Sequence, residues 1–235
     1  MTTFVLVHGA WHGSWCWKRV RKTLQAQGHD VFTPTLTGVG ERSHLLSPQV
    51  NLDTHVADVV NLIRWEELDE VVLCGHSYGG CVITAVADRV PDRLRALVYL
   101  DAFILEDGQG LHDLLPPPVR DAQLASANDG GDGWRVAPIT AEFFNVNAAD
   151  RAWVDSQCTP QPLATFQQRL ALRNPVPAAK ATHVLATGYD HSPFPPFHAL
   201  AKANGWKTLT VPCGHDVMLD RPDDLVRILR EAAGA

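Results

Sequence analysis

Long apolar runs are missing from this 235-residue chain. Its apolar stretches resemble Phe4 to Val7 and Leu97 to Leu100, far short of the roughly 20 residues a membrane-spanning helix needs. Positive charge is also in deficit: 20 Lys and Arg stand against 26 Asp and Glu, a formal net charge of -6. That balance leaves no electrostatic footprint for nucleic acid. Cysteine is scarce. Cys16, Cys74, Cys81, Cys158 and Cys213 are odd in number and contain no C-x-x-C pair, which argues against a disulfide framework or zinc ribbon. The chain has no H-E-x-x-H and no clustered ligand set among its eleven histidines, so no metal site is expected. Met1-Thr2-Thr3 passes straight into a strand-like run, without the basic region and apolar core of a signal peptide. The expected compartment is the cytosol. Proline is sparse in the first hundred residues, where Pro34, Pro48 and Pro91 stand alone, whereas eleven prolines lie between Pro116 and Pro196.

What is present in the first half alternates between two periodicities. Phe4 to Val7, Val31-Phe32, Val71 to Cys74 and Leu97 to Leu100 are continuous apolar runs, as expected of strands buried on both faces of a parallel sheet. Between them, Trp17, Val20 and Leu24 recur at helical spacing and end at Gly28, and Val56, Val59, Val60 and Ile63 follow Asp53 as candidate N-cap. Strand then helix, repeated, predicts an α/β fold with a mostly parallel sheet.

After Asp101 the pattern breaks. Residues 105–182 carry Pro116-Pro117-Pro118, the loop-like stretch Asn128 to Gly133, and helix-compatible pieces near Ala141 to Phe144, Ala149 to Val154 and Leu163 to Leu172. The alternation resumes with a strand at His183 to Thr187, a helix at Phe197 to Ala203, a strand at Thr208 to Val211 and a closing helix at Asp223 to Ala232. The expected organisation is one core made of residues 1–104 and 183–235, interrupted by a mainly helical insertion over 105–182. No internal repeat is visible.

Gly75-His76-Ser77-Tyr78-Gly79 matches G-x-S-x-G between the run Val71 to Cys74 and the apolar segment Cys81 to Val90. A serine on such a sharp strand-to-helix turn needs neighbours without Cβ atoms, and the turn lifts its hydroxyl above the sheet edge. The Tyr78 amide then lies at a helix N-terminus, aimed at any oxyanion formed there. Serine is a weak nucleophile and needs a base oriented by a carboxylate. Partners of a serine in this setting follow in the order Asp or Glu, then His. His215, just beyond the last strand, is the best-placed base. Asp190 is favoured as the acid from chain order, Asp101 at the end of Leu97 to Leu100 competes with it, and Asp216 would have to fold back on its neighbour. The loop Val7-His8-Gly9-Ala10-Trp11 offers the Ala10 amide as second oxyanion donor, with His8 bracing the loop. Phe103, Trp134, Phe143, Phe144, Trp153, Phe166, Phe194 and Phe197 are candidates for an apolar pocket wall.

The segments Phe4 to Gly13 with Trp15 and Trp17, Gly75 to Gly80, Tyr99 to Phe103 and Gly214 to Asp216 resemble the α/β-hydrolase superfamily. Within it they resemble the branch of plant methylesterases, salicylate-binding esterases, α-hydroxynitrile lyases and small bacterial esterases. The resemblance implies Ser77 as nucleophile, Asp190 as acid, His215 as base, the Ala10 and Tyr78 amides as oxyanion hole, and a cap at about 105–182. The expected activity is that of a serine esterase acting without a cofactor on a small ester, largely apolar if the aromatics line the pocket, with no nucleic acid or membrane partner. A homodimer is kept open. Lyases of this branch carry threonine before the first oxyanion residue and lysine beside the catalytic histidine; here those positions are Gly9 and Asp216. A negative charge there is poorly suited to holding departing cyanide. Hydrolysis is therefore the expectation, with a hydroxynitrile lyase or a hydrolase-fold ligand sensor as the alternatives.

Overall fold

The computed structural model describes residues 1–234. The core is a six-stranded sheet built from β1 (Thr3–Val7), β2 (Asp30–Phe32), β3 (Val71–His76), β4 (Leu94–Leu100), β7 (Ala181–Ala186) and β8 (Lys207–Val211). Its order is β2-β1-β3-β4-β7-β8, and every pairing is parallel. β3 is buried along its whole length and β1 over its last four residues, the reason both read as unbroken apolar runs. Burying each Val or Leu side chain stabilises the fold by about 1.5–3 kcal/mol.

Helices α1 (Lys18–Ala26), α2 (Leu52–Trp65), α3 (Gly79–Arg89), α8 (Pro195–Ala203) and α10 (Pro222–Ala232) lie between or after these strands. In α2 the apolar stripe Val56, Val59, Val60 and Ile63 is buried, as its spacing requires. Its N-cap is Asn51, not the expected Asp53: Asn51 Oδ1 accepts from the Thr54 amide, and Thr54 Oγ1 accepts from the Asn51 amide. That reciprocal box satisfies two otherwise orphaned donors.

Between β4 and β7 run α4 (Leu111–Leu114), α5 (Pro117–Gly130), α6 (Arg151–Gln157) and α7 (Ala164–Gln167), with a short antiparallel pair, β5 (Arg135–Val136) and β6 (Gln161–Pro162). The longest helix of this segment falls where none was expected. Pro117 occupies its first turn, where a missing N–H costs nothing and the fixed φ suits the helix. The helix also absorbs the first residues of the loop-like Asn128 to Gly133. Ala141 to Phe144 forms turns instead of a helix.

The strand order reverses at β1, which pairs with β2 on one side and β3 on the other. Open parallel sheets leave a crevice at the carboxyl ends of strands beside such a point. The loops after β1, β3, β4, β7 and β8 carry Ala10, Ser77, Asp101, Asp190 and His215.

Candidate active site

Ser77 has a φ of 54°, left-handed geometry that costs a non-glycine residue of order 1–3 kcal/mol unless its surroundings hold it. They do: the Ser77 amide donates to Leu100 O at 3.2 Å, and Ser77 O accepts from the amides of Gly80 at 3.0 Å and Phe103 at 3.3 Å. The glycines of the turn are sterically required. A Cβ on Gly75 would lie 2.5 Å from Gly79 O, and one on Gly79 would lie 2.8 Å from His8 O. The turn leaves Ser77 partly exposed on a cavity of about 230 Å³, which Ala10, Tyr78 and His215 also line.

His215 is buried, 3% exposed. Its Nδ1 donates to Asp101 Oδ2 at 2.6 Å, and its ring stacks on Phe194 with centroids 5.1 Å apart. Burial pulls its pKa down to about 4, partly offset by neighbouring Asp216, so the imidazole is neutral at pH 7 with Nε2 free to accept a proton. Asp101 also has a positive φ, 42°. Its amide donates to Val184 O at 2.7 Å, and its Oδ1 accepts from the Ala186 amide at 3.0 Å.

The structure brings Asp101 to His215, and not Asp190, the acid favoured from chain order. Asp190 is exposed and accepts from Asn145 Nδ2 at 3.0 Å, while its amide faces Asn145 Oδ1 at 3.4 Å. It braces the loop after β7 against residue 145 and is not bonded to His215. The physical reason is that Asp101 turns inward at the end of β4, between Ser77 and the β7 backbone. Tyr189, one residue before Asp190, packs on the His215 ring at 5.1 Å and carries the chain past it.

The two candidate oxyanion amides are free of intramolecular acceptors among the described residues. The Trp11 amide, next along the loop, is committed to Gln161 Oε1 at 2.8 Å; among the described residues no such bond occupies the amides of Ala10 or Tyr78. Tyr78 is anchored through its hydroxyl, which donates to His55 Nδ1 at 2.9 Å, while His55 Nε2 donates to Thr37 O. His8 donates from Nδ1 to Gly9 O and accepts the Leu36 amide at Nε2; it braces the loop, neutral, with its pKa pulled down to about 3 by burial.

Of the expected pocket aromatics, Phe103, Phe143, Phe144, Phe166 and Phe194 line the cavity. Trp153 instead meets Trp15 edge-on at 5.1 Å, Trp134 lies under the Arg135 guanidinium, and Phe197 packs behind Phe103. Sequence reasoning missed Trp11, Tyr189 and Gln123 as wall residues. Gln123 had no signal because it lies on α5. Its Oε1 accepts from His112 Nε2 at 2.9 Å. Among the described residues no group of His, Cys, Asp and Glu could hold a metal ion, and no helix is long and apolar enough to cross a membrane.

A parallel sheet with a reversal beside a strained serine, and a histidine after the last strand, defines the class of α/β hydrolases. The model of the alpha/beta hydrolase family matches residues 4–228, and the chain belongs to that family. It is 49% identical over 239 residues to the carbendazim hydrolyzing esterase of Nocardioides sp. (strain SG-4G), covering 97% of this chain and 98% of that one. It is 36% identical over 103 residues to Methylesterase 2 of Arabidopsis thaliana, covering 43% of this chain and 39% of that protein. Among solved structures, an extracellular alpha/beta-hydrolase from a Paenibacillus species superposes with a TM-score of 0.85 at 24% identity, over 99% of both chains. With family, fold and full-length relative in agreement, the chain is a carboxylic ester hydrolase.

Proposed function

We propose that the chain is a serine esterase that works through an acyl-enzyme, with Ser77 as nucleophile, His215 as base, Asp101 as the orienting acid and the Ala10 and Tyr78 amides as oxyanion hole. The observation that carries the reading is the 2.6 Å bond from His215 Nδ1 to Asp101. It fixes the tautomer that leaves Nε2 free to take the Ser77 proton. As Ser77 Oγ attacks the carbonyl carbon, the proton passes to His215 Nε2, and Asp101 stabilises the imidazolium that forms. The carbonyl oxygen gains its charge between two amides already in place, donors worth about 10²–10³ each in kcat. The imidazolium then protonates the leaving alcohol, and water repeats the sequence to release the acid.

The segment between β4 and β7 serves as the cap that selects substrate, because Leu111, Leu115, Val119, Ile139 and Phe166 supply one wall of the cavity. The wall suits a flat, largely apolar molecule. Gln123 stands among these side chains with its Oε1 occupied. Its NH2 group remains for a heteroatom acceptor on the substrate. The 49% identical relative is a carbendazim hydrolyzing esterase and the 36% identical one a methylesterase. A methyl ester or methyl carbamate carried on an aromatic ring system is the proposed substrate class.

The test is labelling with a fluorophosphonate probe together with hydrolysis of an aryl ester and an aromatic methyl carbamate. Ser77→Ala is expected to remove both labelling and turnover. Labelling that persists in the variant would refute Ser77 as nucleophile. A hydroxynitrile lyase is disfavoured by one specific contact: a Cβ at Gly9 would lie 2.9 Å from His76 Nδ1 and 3.0 Å from Ser77 Cβ, so the lyase threonine has no room.

A further inference from the structure

Directly behind the oxyanion loop lies a buried ionic contact with no part in the reaction just described. His12 is 2% exposed and Asp216 is fully buried. His12 Nδ1 lies 2.8 Å from Ala10 O, and its Nε2 lies 3.1 Å from Asp216 Oδ2. A carbonyl oxygen can only accept, so Nδ1 carries a proton. A carboxylate likewise only accepts, so Nε2 carries one too whenever Asp216 is ionised.

Burial works against the charged form, but the charge and hydrogen bond of neighbouring His12 hold the Asp216 carboxyl below the ordinary carboxylate range. Asp216 Oδ1 is buried with no hydrogen-bond partner among the described residues, and the nearest other cationic candidate, His76 Nε2, is 3.8 Å away. That His76 nitrogen is already used, donating to His215 O at 3.1 Å. Burial holds His76 well below the ordinary histidine value, so it supplies no charge. The remaining titratable groups around the pair are His8 on the same loop, His215 beside Asp216, Cys16, Cys158, Asp101 and Tyr189, which both feel the Asp216 charge, and, against Gly13, Glu41. His8 and His215 are held neutral and both thiols are pushed up by burial. His12 is therefore the countercharge available to Asp216, and its own pKa is raised by the carboxylate in spite of burial. Trp15 stacks on its face at 4.9 Å and 17°.

We propose that His12 is a positioning residue protonated at neutral pH, whose imidazolium clamps the Ala10 carbonyl on one side and the Asp216 carboxylate on the other. The clamp sets the separation between the Ala10 amide, which faces the developing oxyanion, and His215, which receives the serine proton. It also cancels the charge of Asp216. Without it, a bare buried carboxylate one residue from His215 would hold the base in its protonated, inactive form to higher pH. The charge that the sequence places beside the base is thus internally neutralised. This inference rests on the serine-esterase reading for its kinetic consequences but not for the protonation state itself.

The experiment has a spectroscopic arm and a kinetic arm, both on the full chain. Nitrogen-15 NMR of the histidine rings at pH 7, with the His12 signal assigned by its loss in His12→Gln, is expected to show both ring nitrogens of His12 protonated. In Asp216→Asn, the His12 ring is expected to become singly protonated, because a buried imidazolium without a countercharge releases its proton. In the kinetic arm, His12→Gln is expected to move the acid limb of kcat/KM up by about one pH unit and to lower kcat about tenfold, with KM little changed. Adding Asp216→Asn to His12→Gln should return the limb to its original position, since the uncompensated charge is then gone. A single unprotonated ring nitrogen on His12 in the parent at pH 7 overturns the proposal, as does an unshifted limb in His12→Gln. Should His12→Gln fail to fold, backbone-to-ring correlations assign the His12 signal, and the parent and Asp216→Asn spectra decide the matter. Failure of the esterase reading would appear separately, as a parent enzyme that the fluorophosphonate does not label.

Discussion

His215 points Nδ1 at Asp101 Oδ2 across 2.6 Å, while Asp190 faces outward and bonds Asn145. Asp101→Asn is accordingly expected to lower kcat by a factor on the order of 10⁴, because the amide no longer enforces the productive imidazole tautomer. Asp190→Asn should change kcat by no more than a few-fold, since only a brace on an exposed loop is altered. Steady-state kinetics on the two variants, with an aryl ester, check this directly.

The acid limb of kcat/KM should lie below the ordinary histidine value, near pH 4, because burial lowers His215 to about 4 and only the neutral ring accepts the serine proton. A pH profile from 3.5 to 8 in an inert mixed buffer measures it. A limb near 6.5 would mean that the base is solvated in the free enzyme.

Stability should fall on mild acidification, and the sign follows from burial. His8, His55, His183 and His215 are held neutral, with pKa values lowered to about 3, 4, 4 and 4. Between pH 6.5 and about 4 the unfolded chain binds protons that the native chain does not, so native stability drops by up to about 1.4 kcal/mol per pH unit for each such histidine. His12 acts in the opposite sense: its raised pKa gives stability that is present below 6.5 and lost as pH rises through its folded value. With His76 also held well below the ordinary value by burial, the lowered histidines outnumber His12 and leave a net loss toward acid, which urea midpoints at pH 7 and pH 5 will show.

Gly9→Thr should lower esterase activity by at least tenfold without producing a lyase. The added Cβ presses on His76 and Ser77, and the Ala10 amide it displaces is a donor whose loss costs about 10²–10³ in kcat. Ester hydrolysis and cyanide release from an aromatic cyanohydrin are the paired assays.

Gln123→Leu should discriminate between substrates. For an aromatic methyl carbamate, losing the amide donor costs about 0.5–1.5 kcal/mol of binding, seen in KM. A purely hydrocarbon aryl ester should be unaffected or improved. Equal effects on both would place Gln123 outside the recognition surface.

The N-cap of α2 and the helix at Pro117 show where local reading ran short. Asn51 and Asp53 are both good caps, and the choice fell to the reciprocal bonds with Thr54. Pro117 reads as a breaker in isolation yet begins the longest helix between β4 and β7, because a helix start is the one place where its ring fits. By contrast, the strands β1 and β3 and the Leu97 to Leu100 stretch of β4 were legible because each is a continuous buried run.

The α/β alternation, the serine turn at Gly75 to Gly79 and the histidine after the last strand are all written in the chain. Each depends on residues adjacent in the chain: apolar runs, glycines where a Cβ cannot fit, and chain order. The tertiary structure alone decided between Asp101 and Asp190, because both follow sheet strands and only the inward turn of residue 101 toward the end of β7 brings a carboxylate to His215. It alone placed Gln123 in the cavity, and it paired Asp216 with His12. That partner lies near the opposite end of the chain, where neither periodicity nor spacing carries information. The negative charge beside the base, read from sequence as an argument against cyanide chemistry, proves to be one half of a neutral pair. Hydrolysis is still favoured, now on the steric ground at Gly9.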